Sequence, residues 1–157
     1  MLTQKLKKKF QQMHKEALNQ SLVEACSYGH LDIVKYLLTS PDLKDHANIH
    51  EGDDESLINA CLNGHLEIVK YLLSSPELTE YADIHANNNG TLRLACIYNR
   101  EAIINYLIFD YRIELTKSIE HDLIAQDGVL MMFNKRTLEE KLQIELQNNT
   151  MKNKIKI

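Results

Sequence analysis

Residues 29–38 read GHLDIVKYLL and residues 64–73 read GHLEIVKYLL, one block repeated 35 positions later with a single conservative change. The register extends beyond the block: Ser21, Leu22, Ala25 and Cys26 recur as Ser56, Leu57, Ala60 and Cys61, then as Thr91, Leu92, Ala95 and Cys96. In this third copy Asn99 and Arg100 stand where the others have Gly-His, while Ile103, Ile104, Tyr106 and Leu107 keep the apolar stripe. A unit of this size cannot bury its own apolar face, so the copies must stack side by side into an elongated array. One period further on, Leu138 and Leu142 keep the stripe, but Glu139 and Lys141 fall where Val69 and Tyr71 stood. A polar outer face of that kind suits a terminal capping unit.

Each copy resolves into two helical patterns. Leu22, Ala25 and Cys26 have i, i+3, i+4 spacing, which places them on one side of a first helix ending at Gly29, where glycine can take a left-handed cap conformation. Ile33, Val34, Leu37 and Leu38 form the stripe of a second helix, with Lys35 pointing away. Ser40 as N-cap and Pro41 at the first helical position predict a further helical turn through Leu43 to His46, and Ser75, Pro76, Glu77 and Leu78 repeat the signal. Ala47 to His50 and Ala82 to His85 then lead into Gly-, Asn- and Asp-rich stretches that read as exposed turns.

These residues resemble the ankyrin repeat, whose unit is a helix pair followed by a projecting loop. The resemblance covers residues 20–108 and extends in degenerate form to 147. It implies an all-α, ankyrin-like helical repeat solenoid of stacked helix pairs with short finger loops. The first helix departs from the family pattern. Where the family has Thr-Pro-Leu-His, this chain has Gln20-Ser21-Leu22-Val23, Glu55-Ser56-Leu57-Ile58 and Gly90-Thr91-Leu92-Arg93. It therefore lacks the histidine that hydrogen-bonds between repeats in the family. The resemblance also implies a concave binding surface made of the first helices and the finger tips. Its residues map here onto Ser27 and Tyr28, Leu62 and Asn63, and Ile97 and Tyr98, with a polar rim of Asp53, Asp54, Glu55, Asn87, Asn88 and Asn89. Aromatic and aliphatic anchors inside a polar rim are the composition of a protein interface.

Cysteine and histidine point to structure rather than chemistry. Cys26, Cys61 and Cys96 hold one position in successive repeats, so helix packing sets them roughly 8–10 Å apart, beyond the reach of a disulfide. They read as small buried apolar groups. His30 and His65 follow the glycine of the Gly-His pair, where the resemblance implies a role at the helix–helix turn. His50 and His85 also recur one period apart, as turn residues. No paired-cysteine zinc spacing, phosphate-cradling glycine loop or catalytic constellation is present. The expectation is a non-enzyme with no cofactor and no metal.

Charge is segregated along the chain. Residues 1–19 carry a formal +4 and residues 148–157 a +3, which leaves −11 on residues 20–147 of an overall −4. An acidic body attracts basic partner surfaces in a salt-sensitive way. Leu2, Leu6, Phe10, Met13 and Ala17 follow helical spacing with lysines on the other side, which predicts an amphipathic helix at 1–19 capping the end of the array. Three repeats at 20–110, a degenerate capping repeat at 111–147 and a mobile basic tail at 148–157 complete the expected organisation. No apolar run is long enough to span a bilayer, and the N-terminus has no apolar signal-like stretch, which places the chain in the cytoplasm of its own or a host cell. The expected function is protein binding, as an adaptor or inhibitor, through the concave surface. Two alternatives are an acidic inhibitor seated in a nucleic-acid-binding cleft and a nucleic-acid binder using the basic N-terminal helix.

Overall fold

The computed structural model describes the backbone of residues 3–110, and within that span the side chains of Asn88, Asn89, Phe109 and Asp110 are not described. These residues fall in a single unit, Met1–Glu114. The capping repeat expected at 111–147 and the basic tail at 148–157 lie outside the described residues. Among the described residues there are six α-helices, one π-helical turn and no strand.

The first repeat comprises α1 (Gln4–Tyr28) and α2 (Leu31–Thr39), the second α3 (Glu51–Asn63) and α4 (Leu66–Ser74). In the third, α5 (Ala86–Ile97) is followed by α6 (Glu101–Asn105), which runs into a π-helical turn at Tyr106–Asp110. The first helices pack in the order α1, α3, α5 and the second helices in the order α2, α4, α6. Leu22, Leu57 and Leu92, one per repeat, are fully buried between them, and Val34 and Val69 do the same on the second helices. Each such side chain contributes about 1.5–3 kcal/mol by leaving water, which is how short helices with little stability of their own are held.

The turn between the two helices depends on glycine. Gly29 and Gly64 adopt φ values of 82° and 88°, left-handed conformations that cost a residue with a Cβ about 1–2 kcal/mol. Asn99 takes over in the third repeat at φ 52°, as the side chain best suited to that region after glycine.

Two expectations are corrected. The Ser-Pro segments form turns rather than helical turns: the Leu43 N–H donates to the Ser40 carbonyl at 3.2 Å, and the chain then folds back so that the Ala47 N–H reaches the Leu37 carbonyl at 3.1 Å. That second bond needs an extended return path, which a helix over 43–46 would not provide. The second repeat reproduces it, from the Ala82 N–H to the Leu72 carbonyl at 3.0 Å. At the N-terminus no boundary falls at residue 19, because α1 continues unbroken into the first repeat. Its leading stretch, residues 3–17, is exposed throughout, including Leu6, Phe10 and Met13, so it does not pack as a cap over the array.

Candidate protein-binding surface

Three first helices side by side bring their C-terminal ends into a row. Tyr28 and Asn63 end α1 and α3, Tyr98 just past the end of α5 holds the same repeat position, and Ser27, Leu62 and Ile97 precede them. Tyr28 is 74% exposed, Ile97 56% and Tyr98 52%, in an array whose other large repeat-matched side chains are mostly buried. Ser27 and Leu62 are half-buried and Asn63 is exposed. The Ser27 hydroxyl donates to the Val23 carbonyl at 2.8 Å and the Asn63 amide to the Asn59 carbonyl at 3.0 Å, so both are held against their own helices.

What fixes the row is a bond from the repeat that follows. The His65 Nε2 lies 3.0 Å from the Ser27 carbonyl oxygen, 38 residues away. Arg100 Nε donates to the Leu62 carbonyl at 2.8 Å, again 38 residues away. Histidine and arginine are interchangeable here because the position requires one ring or guanidinium N–H aimed at a carbonyl that the helix end leaves unpaired. The Gly-His pair is thus one device spanning two repeats. A Cβ on Gly29 would stand 2.6 Å from His65 Cε1, so the glycine opens the turn and also makes room for the next repeat's imidazole. This supplies an inter-repeat hydrogen bond in a chain that lacks the histidine of Thr-Pro-Leu-His.

The acidic segment after residue 50 separates into two kinds of residue. The sequence puts Asp54 on the exposed rim, but it is only 4% exposed, because its Oδ1 accepts the Asp83 N–H at 3.1 Å and lies 3.0 Å from His50 Nδ1. Asn19 does the same a period earlier, accepting the Asn48 N–H at 2.8 Å. Glu51 accepts from the Asn19 amide at 2.9 Å. Gly52, Asp53 and Asp54 have φ values of 62°, 56° and 59°, so the finger is a left-handed, non-helical turn within the start of α3 rather than a hairpin. Asp53 and Glu55 remain exposed on it. Asn87 is exposed at φ 50°, while the side chains of Asn88 and Asn89 are outside the described ones. Glu24, exposed one turn before Tyr28 on the same face of α1, joins the candidate surface only in the structure, although its i, i+4 spacing to Tyr28 is a signal present in the sequence.

The cysteines have no exposed thiol to offer. Cys26, Cys61 and Cys96 are all buried. Burial pushes the Cys26 thiol up to about 12, against a smaller opposing effect of its contact with Ser56. Burial raises Cys61 as well. Among the described residues no three His, Cys, Asp or Glu side chains cluster as a metal site would require, and no helix is long and apolar enough to cross a membrane.

A family model for ankyrin repeats, in three copies, matches residues 22–119. The chain belongs to the ankyrin repeat family. No curated protein and no solved structure matches it. Ankyrin repeats are generally protein-interaction modules, and in this ankyrin array the exposed helix ends just described are among the positions that differ between copies.

Proposed function

We propose that this ankyrin array is a non-enzymatic adaptor or inhibitor that captures a protein on the row formed by Ser27, Tyr28, Leu62, Asn63, Ile97 and Tyr98. The observation that carries this reading is the exposure of Tyr28, Ile97 and Tyr98 at equivalent helix ends. Rigid aromatic and aliphatic groups are the usual anchors of binding energy, and the His65 and Arg100 bonds hold the first two helix ends in place, which lowers the cost of ordering them. Asp53, Glu55 and the asparagines at 87–89 form the rim in this reading, facing a partner surface with basic groups. Asp54 is left out, since it is committed to the Asp83 N–H.

Tagged capture at physiological salt identifies the partner, and a variant carrying Tyr28→Ala, Leu62→Ala and Tyr98→Ala tests the surface. Loss of capture with unchanged helical content is expected. Capture that persists in the variant would place the binding surface elsewhere.

A further inference from the structure

The Ser-Pro loops of the first two repeats border a cavity of about 400 Å³, at the opposite end of the second helices from the Gly-His turns. It is bounded by Leu38 and Thr39 at the end of α2, by residues 46–49 of the returning chain and by residues 77–80 of the second repeat. Ile49 is buried and Leu38 and Leu78 are half-buried, so part of the lining is apolar.

The polar part of the lining is one-sided. No lysine or arginine lines the cavity, while Glu77 and Glu80 both do. The Thr39 hydroxyl donates to the Lys35 carbonyl at 2.8 Å, which leaves its oxygen as an acceptor. Leu38 and Thr39 end α2 with carbonyls that accept no backbone bond among the described residues, at the negative end of the helix dipole. Glu80 has His50 Nε2 at 3.9 Å, beyond hydrogen-bond reach, so its carboxylate stays open to a stronger partner. Glu77 has a buried donor beside it. The Tyr71 hydroxyl, on a side chain only 7% exposed, has no hydrogen-bond partner, although its repeat equivalent on Tyr106 lies 3.3 Å from the Ser74 hydroxyl. Burial above all raises the Tyr71 pKa, Thr39 lowers it and Glu77 raises it again, so this hydroxyl keeps a proton that it can donate to Glu77. Such a bond would steer an otherwise exposed carboxylate towards the cavity.

We infer that this cavity receives an arginine side chain of a bound protein. The aliphatic stem lies along Leu38, Ile49 and Leu78, and the guanidinium faces Glu77, Glu80 and the end of α2. Arginine fits better than lysine, because its five donors in a fixed fork match acceptors spread over several parts of the lining and take carboxylates in bidentate fashion. Free arginine fits poorly: the lining has no cation for its α-carboxylate, so the guanidinium arrives on a peptide chain. A metal ion is not favoured either, since no three His, Cys, Asp or Glu side chains cluster among the described residues. The cavity shares no residue with the row at the first-helix ends, so it stands or falls apart from that surface.

Chemical-shift titration of the nitrogen-15-labelled full chain with N-acetyl-arginine methylamide at low salt tests the inference. Saturable shifts are expected at the amides of residues 46–49 and 77–80, and none there with the neutral isostere N-acetyl-citrulline methylamide. Glu77→Gln combined with Glu80→Gln, both at exposed positions, should weaken binding at least about tenfold while the remaining amide signals keep their positions. Citrulline binding as tightly as arginine, shifts that do not saturate or that fall elsewhere, or affinity unchanged in the double variant would overturn it. Tighter binding of spermidine than of the arginine amide would overturn it too, by making the cavity a polyamine site.

Discussion

Replacing Gly29 by alanine disturbs both functions of the Gly-His device at once. At φ 82° the new side chain meets the left-handed penalty of about 1–2 kcal/mol. Its Cβ also stands 2.6 Å from Cε1 and 2.7 Å from Nδ1 of His65, so the ring must leave and its bond to the Ser27 carbonyl is lost, a further ~0.5–1.5 kcal/mol. The total is about 1.5–3.5 kcal/mol. Gly64→Ala is the internal control: it has the same backbone penalty at φ 88°, but its nearest neighbour is Arg100 Cδ at 3.2 Å, on a long side chain that can shift. It should lose only about 1–2 kcal/mol. Urea titration followed by circular dichroism reads both. The sharper comparison adds His65→Ala to Gly29→Ala: with the ring gone the clash vanishes, so the two losses should fall short of additive by about 0.5–1.5 kcal/mol. Additive losses, or a Gly29→Ala variant no weaker than Gly64→Ala, would refute the idea that this glycine houses the next repeat's histidine.

Further outcomes follow from the same structure. Arg100→His should retain most of the stability of the parent, since histidine makes this bond at position 65, whereas Arg100→Ala should lose about 1–3 kcal/mol through the unpaired Leu62 carbonyl; equal loss in both would contradict the interchangeability. Asp54→Asn keeps an acceptor for the Asp83 N–H, as Asn19 does for Asn48, and should be tolerated far better than Asp54→Ala in thermal unfolding. The Cys26 thiol, near 9.0 when unfolded and about 12 when folded, favours the folded state in its neutral form. Its contribution is fully present below about pH 9 and falls as pH rises towards 12, by up to about 1.4 kcal/mol per pH unit. Cys26→Ala should flatten the alkaline decline of the urea midpoint, and an unchanged slope would count against burial as its cause.

The second helices are legible in the sequence because Ile-Val-x-x-Leu-Leu after Gly-His has one reading, an amphipathic helix entered from a left-handed turn, and Val34 and Val69 are fully buried where the stripe places them. The Ser-Pro segments are ambiguous, because serine before proline begins a turn as readily as a helix. The Ala47 N–H reaching back to Leu37 decides the outcome, a contact that local sequence does not encode. Asp54 reads as a rim residue because a run of acidic side chains looks solvated. What buries it is a backbone donor 29 residues further on, and the clue is register, since Asn19 and Asp54 share one repeat position as Asn48 and Asp83 share another. The His65 and Arg100 bonds are hidden in the same way, although the replacement of one N–H donor by another at a single register position is visible. On the candidate surface the choice of helix ends comes from the family resemblance, while the pinning of those ends is tertiary geometry.

Binding of the captured partner to the Tyr28→Ala, Leu62→Ala, Tyr98→Ala chain, measured by titration calorimetry beside the parent and beside Ile33→Glu, tests the central claim most directly. The account predicts at least about a thousandfold loss for the triple variant, from three anchors worth about 1.4 kcal/mol or more each, and no loss for Ile33→Glu. Parent-like affinity in the triple variant, with its helical content intact, would contradict it.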